Sequence, residues 1–153
     1  MTGASGDSQS CIFCDLSAPG RADLVLFRGR VSFVILNLYP YTNGHLMVVP
    51  ARHIANLALL TADEQAELMR LVRHAEIALT DAYKPHGLNV GINLGRSAGA
   101  GVLDHLHVHV VPRWNGDTNF MTVVGDARVL PEDLATSAKK LRPIFERLAS
   151  ENA

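Results

Sequence analysis

The chain has 153 residues, 48% of them apolar and 19% charged, with a formal net charge of −1. That length suits about one domain able to bury its own core, and the balanced charge excludes the overall basic field that nucleic acid or an anionic membrane would require. No apolar run reaches the ~18 residues of a membrane span, and two cysteines make a disulfide scaffold improbable, so the expectation is a cytoplasmic protein.

Residues 1–10, rich in Gly and Ser, read as a loose tail without the apolar stretch of a signal peptide. A single domain is expected over 11–153. It opens on Cys11-Ile12-Phe13-Cys14, a spacing that serves either half a zinc site or a dithiol redox pair. A redox pair would normally follow a strand and open a helix. Here only the tail precedes it, which favours zinc, although two further ligands must then come from elsewhere.

Leu24–Arg28 and Val31–Leu38 read as two strands around a Gly29-Arg30 hairpin turn. Asn37, at the end of the second, either caps a turn or hydrogen-bonds a ligand. A turn-rich stretch to Gly44 leads into Leu46–Val49, a short apolar strand ended by Pro50. His45 reads as structural, and His53, taken by itself, as a surface residue. Thr61 and Glu64 form a capping box. Leu68, Leu71, Val72, Ala75, Leu79 and Ala82 then recur at helical spacing until Lys84-Pro85-His86-Gly87 stops the helix. His74 and His86 read as bland.

Leu88–Leu94 returns to strand. Gly95 to Gly101 follows, lacking both the P-loop and the dinucleotide fingerprint, yet able to offer N–H groups and a hydroxyl to phosphate. Then His105, His107 and His109 alternate with Leu106, Val108 and Val110. Such alternation reads as a half-buried strand with the histidines on one face and the apolar residues in the core. A core needs none of these imidazoles. The row has three readings: a solvent-facing strand that happens to use histidine three times, a metal cluster, or a divided site in which one histidine anchors, one attacks and one polarises the target. Phe120–Val124 is a further candidate strand. Pro131-Glu132-Asp133 opens a last helix with an apolar stripe of Leu134, Leu141, Phe145 and Leu148, kinked at Pro143.

His105 to Val111 agrees at every position with the His-φ-His-φ-His-φ-φ motif (φ apolar), and the chain resembles the histidine triad (HIT) family from about Cys11 to Asp117. Asn43-Gly44-His45 and the Gly/Ser loop sit where the family has them. Pro112-Arg113-Trp114-Asn115-Gly116-Asp117 resembles the fragile-histidine-triad branch, and the Asn37–Tyr41, Gly44–Pro50 and His105–Trp114 stretches resemble bacterial diadenosine tetraphosphate phosphorylases.

The resemblance implies an α+β fold, with an antiparallel five-stranded sheet, one long central helix and a C-terminal helix, the sheet extended across a homodimer. It implies His107 as nucleophile and His109 as donor to a phosphate or leaving-group oxygen. Asn37 would bind the ribose, and Asn93, Ser97, Gly99 and Gly101 would lie in the phosphate loop. Cys11, Cys14, His53 and His105 would complete a closed S₂N₂ structural zinc site, which overturns the surface reading of His53 and decides against a metal held by the whole row. The implied activity is cleavage of adenine dinucleoside polyphosphates at the α-phosphate with AMP as product. Magnesium could accompany the substrate. Phosphorolysis, phosphoramidate hydrolysis and nucleotide sensing stand as alternatives.

Overall fold

The computed structural model describes residues 11–17, 23–100, 104–117 and 132–151. The tail over 1–10, Gly101, the Phe120–Val124 strand and Pro131 lie outside them. Five strands, β1 (Val25–Arg28), β2 (Ser32–Leu36), β3 (Leu46–Pro50), β4 (Gly87–Ile92) and β5 (Val108–Arg113), form one sheet in the order β1-β2-β3-β5-β4. Every neighbouring pair is antiparallel. The helices are α1 (Ile12–Ser17), α2 (Ala62–Tyr83) and α3 (Leu134–Glu151), the last running through Pro143. None is long and apolar enough to cross a membrane.

Alternation sorts the strand side chains into two layers. Val34, Leu36, Leu46, Val48, Val108 and Val110 face α2 and α3, meeting Leu68, Leu71, Leu79, Leu141 and Phe145 in the main core. Val25, Phe33, Ile35, Met47 and Val49 face the other way and are covered by Phe13 of α1. A small apolar plug between two cysteines therefore seats the Cys-x-x-Cys segment on the histidine face of the sheet.

The helix signals act as expected. The Thr61 side chain accepts the Glu64 N–H at 3.1 Å, and α2 stops at Lys84, which takes a left-handed conformation. The Glu64 carboxylate reaches back to Thr61, accepting its hydroxyl at 3.2 Å, and also accepts the Arg52 guanidinium at 3.0 Å. Gly44 needs to be glycine on two counts. Its φ is +81°, and a Cβ there would lie 2.9 Å from the Tyr83 ring.

One expectation shifts in detail. The strand ladder does not run through the whole histidine row; it begins at Val108, opposite Val48 of β3 and Ile92 of β4. Further along β3 stands Pro50, which has no N–H to give, and the Leu106 N–H turns to the Ile54 carbonyl at 2.7 Å. The inside–outside alternation nevertheless continues, since Leu106 is packed in the main core.

Candidate active site and metal cluster

The histidine row divides into two neighbourhoods. At its first residue, α1 brings Cys11 Sγ to 3.3 Å and Cys14 Sγ to 3.6 Å from His105 Nδ1. His53, on the segment after β3, brings its Nδ1 to 3.2 Å from the same atom and to 3.3 Å from Cys14 Sγ. The four ligand atoms lie within 4.8 Å of one another. His105 Nε2 donates to the Pro50 carbonyl at 2.7 Å, so its proton sits there and the Nδ1 lone pair points into the cluster. That is the form a ligand needs, and the four residues can hold a metal ion. Burial holds His105 below the usual histidine range, with the Pro50 carbonyl working the other way.

His107 is buried and turned differently. Its Nδ1 donates to the His105 carbonyl at 3.0 Å, which leaves the ring's lone pair on Nε2. The Phe13 ring packs against both His105 and His107, with centroids at 5.4 and 5.1 Å. His109 follows on β5, its ring 4.8 Å from that of His107. Burial, and then the neighbouring His107, lower its pKa.

A fourth histidine completes this second neighbourhood. His45 Nε2 lies 3.0 Å from His109 Nδ1, while His45 Nδ1 accepts the Tyr41 N–H at 3.1 Å. Burial, then the nearby His109, push its pKa down to about 4. Reading the sequence as structural at this position missed its contact with the row. The only sequence cue is a histidine opening an otherwise apolar strand, and the contact follows from strand register, in which Met47 of β3 pairs with His109.

Asn37 stands beside them, its Nδ2 3.3 Å from His45 Nε2 and its Oδ1 accepting the Tyr39 N–H at 2.9 Å. Asn93, Ser97 and Gly99 are exposed on the connection between β4 and β5. The N–H groups of Ala98, Gly99 and Ala100 are spent on the Gly95 and Arg96 carbonyls of that turn. The Gly99 amide is thus already engaged, and the Ser97 hydroxyl and Asn93 amide are the loop's candidate donors. Gly101 lies outside the described residues.

The HIT domain matches residues 21–116, a span that includes the histidine row. The chain belongs to the HIT family. Among HIT relatives, AP-4-A phosphorylase of Mycobacterium tuberculosis is 50% identical over 124 residues, covering 81% of this chain and 64% of that protein. The chain thus spans less than two thirds of that relative's length. The histidine triad nucleotide-binding protein ST2152 of Sulfolobus tokodaii has a similar structure, with a TM-score of 0.74 and 30% identity over 90% of this chain and 93% of that one. A Zn-bound HIT family protein of Mycobacterium smegmatis superposes with a TM-score of 0.72 at 27% identity, covering 93% and 97% of the two chains.

Proposed function

We propose that this HIT protein cleaves dinucleoside polyphosphates at the α-phosphate through a covalent nucleotidyl-histidine. One observation carries the reading: the His107 Nδ1–H is committed to the His105 carbonyl at 3.0 Å. The Nε2 lone pair attacks the α-phosphorus, an N–P bond forms, and the bond to the departing polyphosphate oxygen breaks, the electron pair leaving with that oxygen. His109 and the Ser97 hydroxyl stabilise charge on the phosphoryl and leaving oxygens, the contribution that usually weighs most. Asn37 serves the ribose, and Asn93 lies with Ser97 in the phosphate-loop region. Magnesium, where it takes part, arrives on the substrate's phosphates.

The second step transfers the nucleotidyl group from His107 to an acceptor. Water gives the nucleoside monophosphate; inorganic phosphate gives the diphosphate. The 50% identity to a protein named for phosphorolysis supports phosphate, and the first step is the same for both. The test is to incubate the protein with diadenosine tetraphosphate, with and without phosphate, and separate the products. AMP plus ATP in both tubes means a hydrolase, and ADP plus ATP only with phosphate means a phosphorylase. No cleavage in either would refute the reading.

Zinc is the metal that the cluster fits. Bond lengths of ~2.3 Å to sulfur and ~2.0–2.1 Å to nitrogen put tetrahedral ligands about 3.3 Å apart for two nitrogens and about 3.5 Å for nitrogen and sulfur. The observed separations are 3.2 Å for the nitrogens and 3.3, 3.3 and 3.6 Å for three of the four mixed pairs, with all four ligand atoms within 4.8 Å of one another. Cys11, Cys14, His53 and His105 would hold it in a closed shell, where it supplies a cross-link between α1, the segment after β3 and the histidine row.

A homodimer belongs to the same proposal. β4 is an edge strand, and Val90 upon it is 53% exposed. A groove of about 690 Å³ runs beside it, lined by Leu57, Leu68, Met69, Val72, Val90 and Ile92 among others. Apolar surface along an open strand edge is what a pairing partner would cover. Sedimentation equilibrium should return twice the chain mass; a monomer at tens of micromolar would refute it.

A further inference from the structure

The turn between β2 and β3 exposes two of the chain's three tyrosines. Tyr39 is 81% exposed, Tyr41 77% and the adjoining Leu38 54%, a contiguous run rather than a scattered apolar residue. The backbone that carries them is tied down. Asn37 Oδ1 accepts the Tyr39 N–H at 2.9 Å, and His45 Nδ1 accepts the Tyr41 N–H at 3.1 Å. Pro40 fixes φ between the two. The Thr42 hydroxyl donates to the Pro112 carbonyl at 2.7 Å, and Asn43 Oδ1 accepts the Glu132 N–H at 2.9 Å. Both tyrosines therefore stand on backbone held by two side chains beside the histidine row, and the Tyr41 ring lies 4.7 Å from that of His45. An aromatic surface fixed before the ligand arrives loses little entropy when a planar group covers it.

We infer that Tyr39 and Tyr41 form the stacking platform for the base of the departing nucleotide, the second of the substrate's two nucleosides. This rests on the proposed cleavage of dinucleoside polyphosphates and adds a subsite to it. Such a substrate carries two bases on one phosphate chain, and Asn37 serves the ribose of only one of them. The half that leaves lies on the His109 side of the scissile bond. Tyr41 borders that side through His45, whose ring is 5.2 Å from that of His109. Residues 37 to 44 contain no charged side chain, so the turn suits an uncharged planar group and not a phosphate. Stacking accepts any base, since every base has a π face. The platform thus selects for the presence of a second nucleoside without choosing its identity.

The test compares diadenosine tetraphosphate with adenosine 5′-tetraphosphate, which has the same phosphate chain and lacks the second nucleoside. In the Tyr39→Ala/Tyr41→Ala protein, kcat/KM for diadenosine tetraphosphate should fall roughly 10-fold, mainly through KM, while that for adenosine 5′-tetraphosphate holds. The Tyr39→Phe/Tyr41→Phe protein keeps both ring faces and should match wild type on both substrates. An equal loss on the two substrates would overturn the inference by assigning the rings to the transferred nucleoside. No loss on either, or a loss that follows dissociation of the protein in sedimentation, would overturn it as well. A second readout needs no turnover. Nuclear Overhauser contacts from the Tyr39 and Tyr41 rings to adenine H2 and H8 should arise with a methylene-bridged, uncleavable diadenosine tetraphosphate and not with methylene-bridged ATP. Wild-type protein that shows these contacts yet cleaves no dinucleoside polyphosphate would overturn the proposed function and leave the platform standing. Cleavage without the contacts would do the reverse.

Discussion

The two ends of the histidine row set one residue type on one face in opposite surroundings. At the first end, His105 gives its Nε2 proton to the Pro50 carbonyl and aims a bare Nδ1 at two cysteines and His53. Two residues on, His107 gives its Nδ1 proton to the His105 carbonyl and keeps Nε2 bare. At the far end His109 turns its Nδ1 to His45 Nε2, 3.0 Å away. The imidazoles are chemically identical. On the proposed reading, what separates a ligand from a nucleophile is which ring nitrogen a backbone carbonyl holds, that of Pro50 for His105 and that of His105 for His107. The ends are also joined: the carbonyl that orients His107 belongs to the residue that faces the metal cluster.

The comparison breaks most sharply at its middle. His107→Ala should lower turnover of dinucleoside polyphosphates by at least about 10³-fold, because it removes the covalent route. The fold should persist, since the ladder of β5 begins only at Val108; thermal melts and steady-state kinetics check both halves. Full activity in the variant would refute the nucleophile assignment.

The cluster should show the reverse pattern, with stability leading and activity following. Metal analysis should find about one zinc per chain, and Cys14→Ser should lose it. A closed structural site contributes folding free energy directly; a loss of about 3 kcal/mol corresponds to a Tm lower by roughly 10 °C for a chain of this size. A metal-free protein with an unchanged melt would remove the cluster from the structural account.

The smallest effect sharpens the second neighbourhood. His45 titrates at about 4 when folded against 6.5 as its ordinary value, and His109 is lowered too. Above pH 6.5 both states hold these rings neutral, and the native state has its full stability. As pH falls below that, the unfolded chain takes up protons the native state refuses, so stability is lost progressively down to about pH 4. His45 alone accounts for about 3 kcal/mol at the bottom of this window. Denaturant titrations at pH 7, 5.5 and 4.5 measure it, and His45→Phe should flatten the slope.

Much of this was legible beforehand for a physical reason: periodicity and capping are local. The two-residue alternation around His107 assigned the core and site faces, the Thr61 cap and the Lys84-Pro85 stop bounded α2, and the histidine motif identified the family. Strand ends were less sharp, since Pro50 ends pairing on the neighbouring strand rather than on its own. The Gly95–Gly101 stretch read as able to offer N–H groups to phosphate, but the turn over residues 95–100 uses those of Ala98, Gly99 and Ala100 internally. His53 and His45 carried no local sign of the partners they meet.

By itself the sequence determined which residues lie on one face, where the long helix begins and stops, and that three imidazoles share a strand, because these depend on neighbours within a few positions. Only the tertiary structure decided which partner each imidazole meets. Those partners are the Pro50 carbonyl, the His105 carbonyl and His45, and the two that come from outside the row arrive through the register of β3 against β5. Register is a long-range property, fixed when the sheet and its cores assemble together.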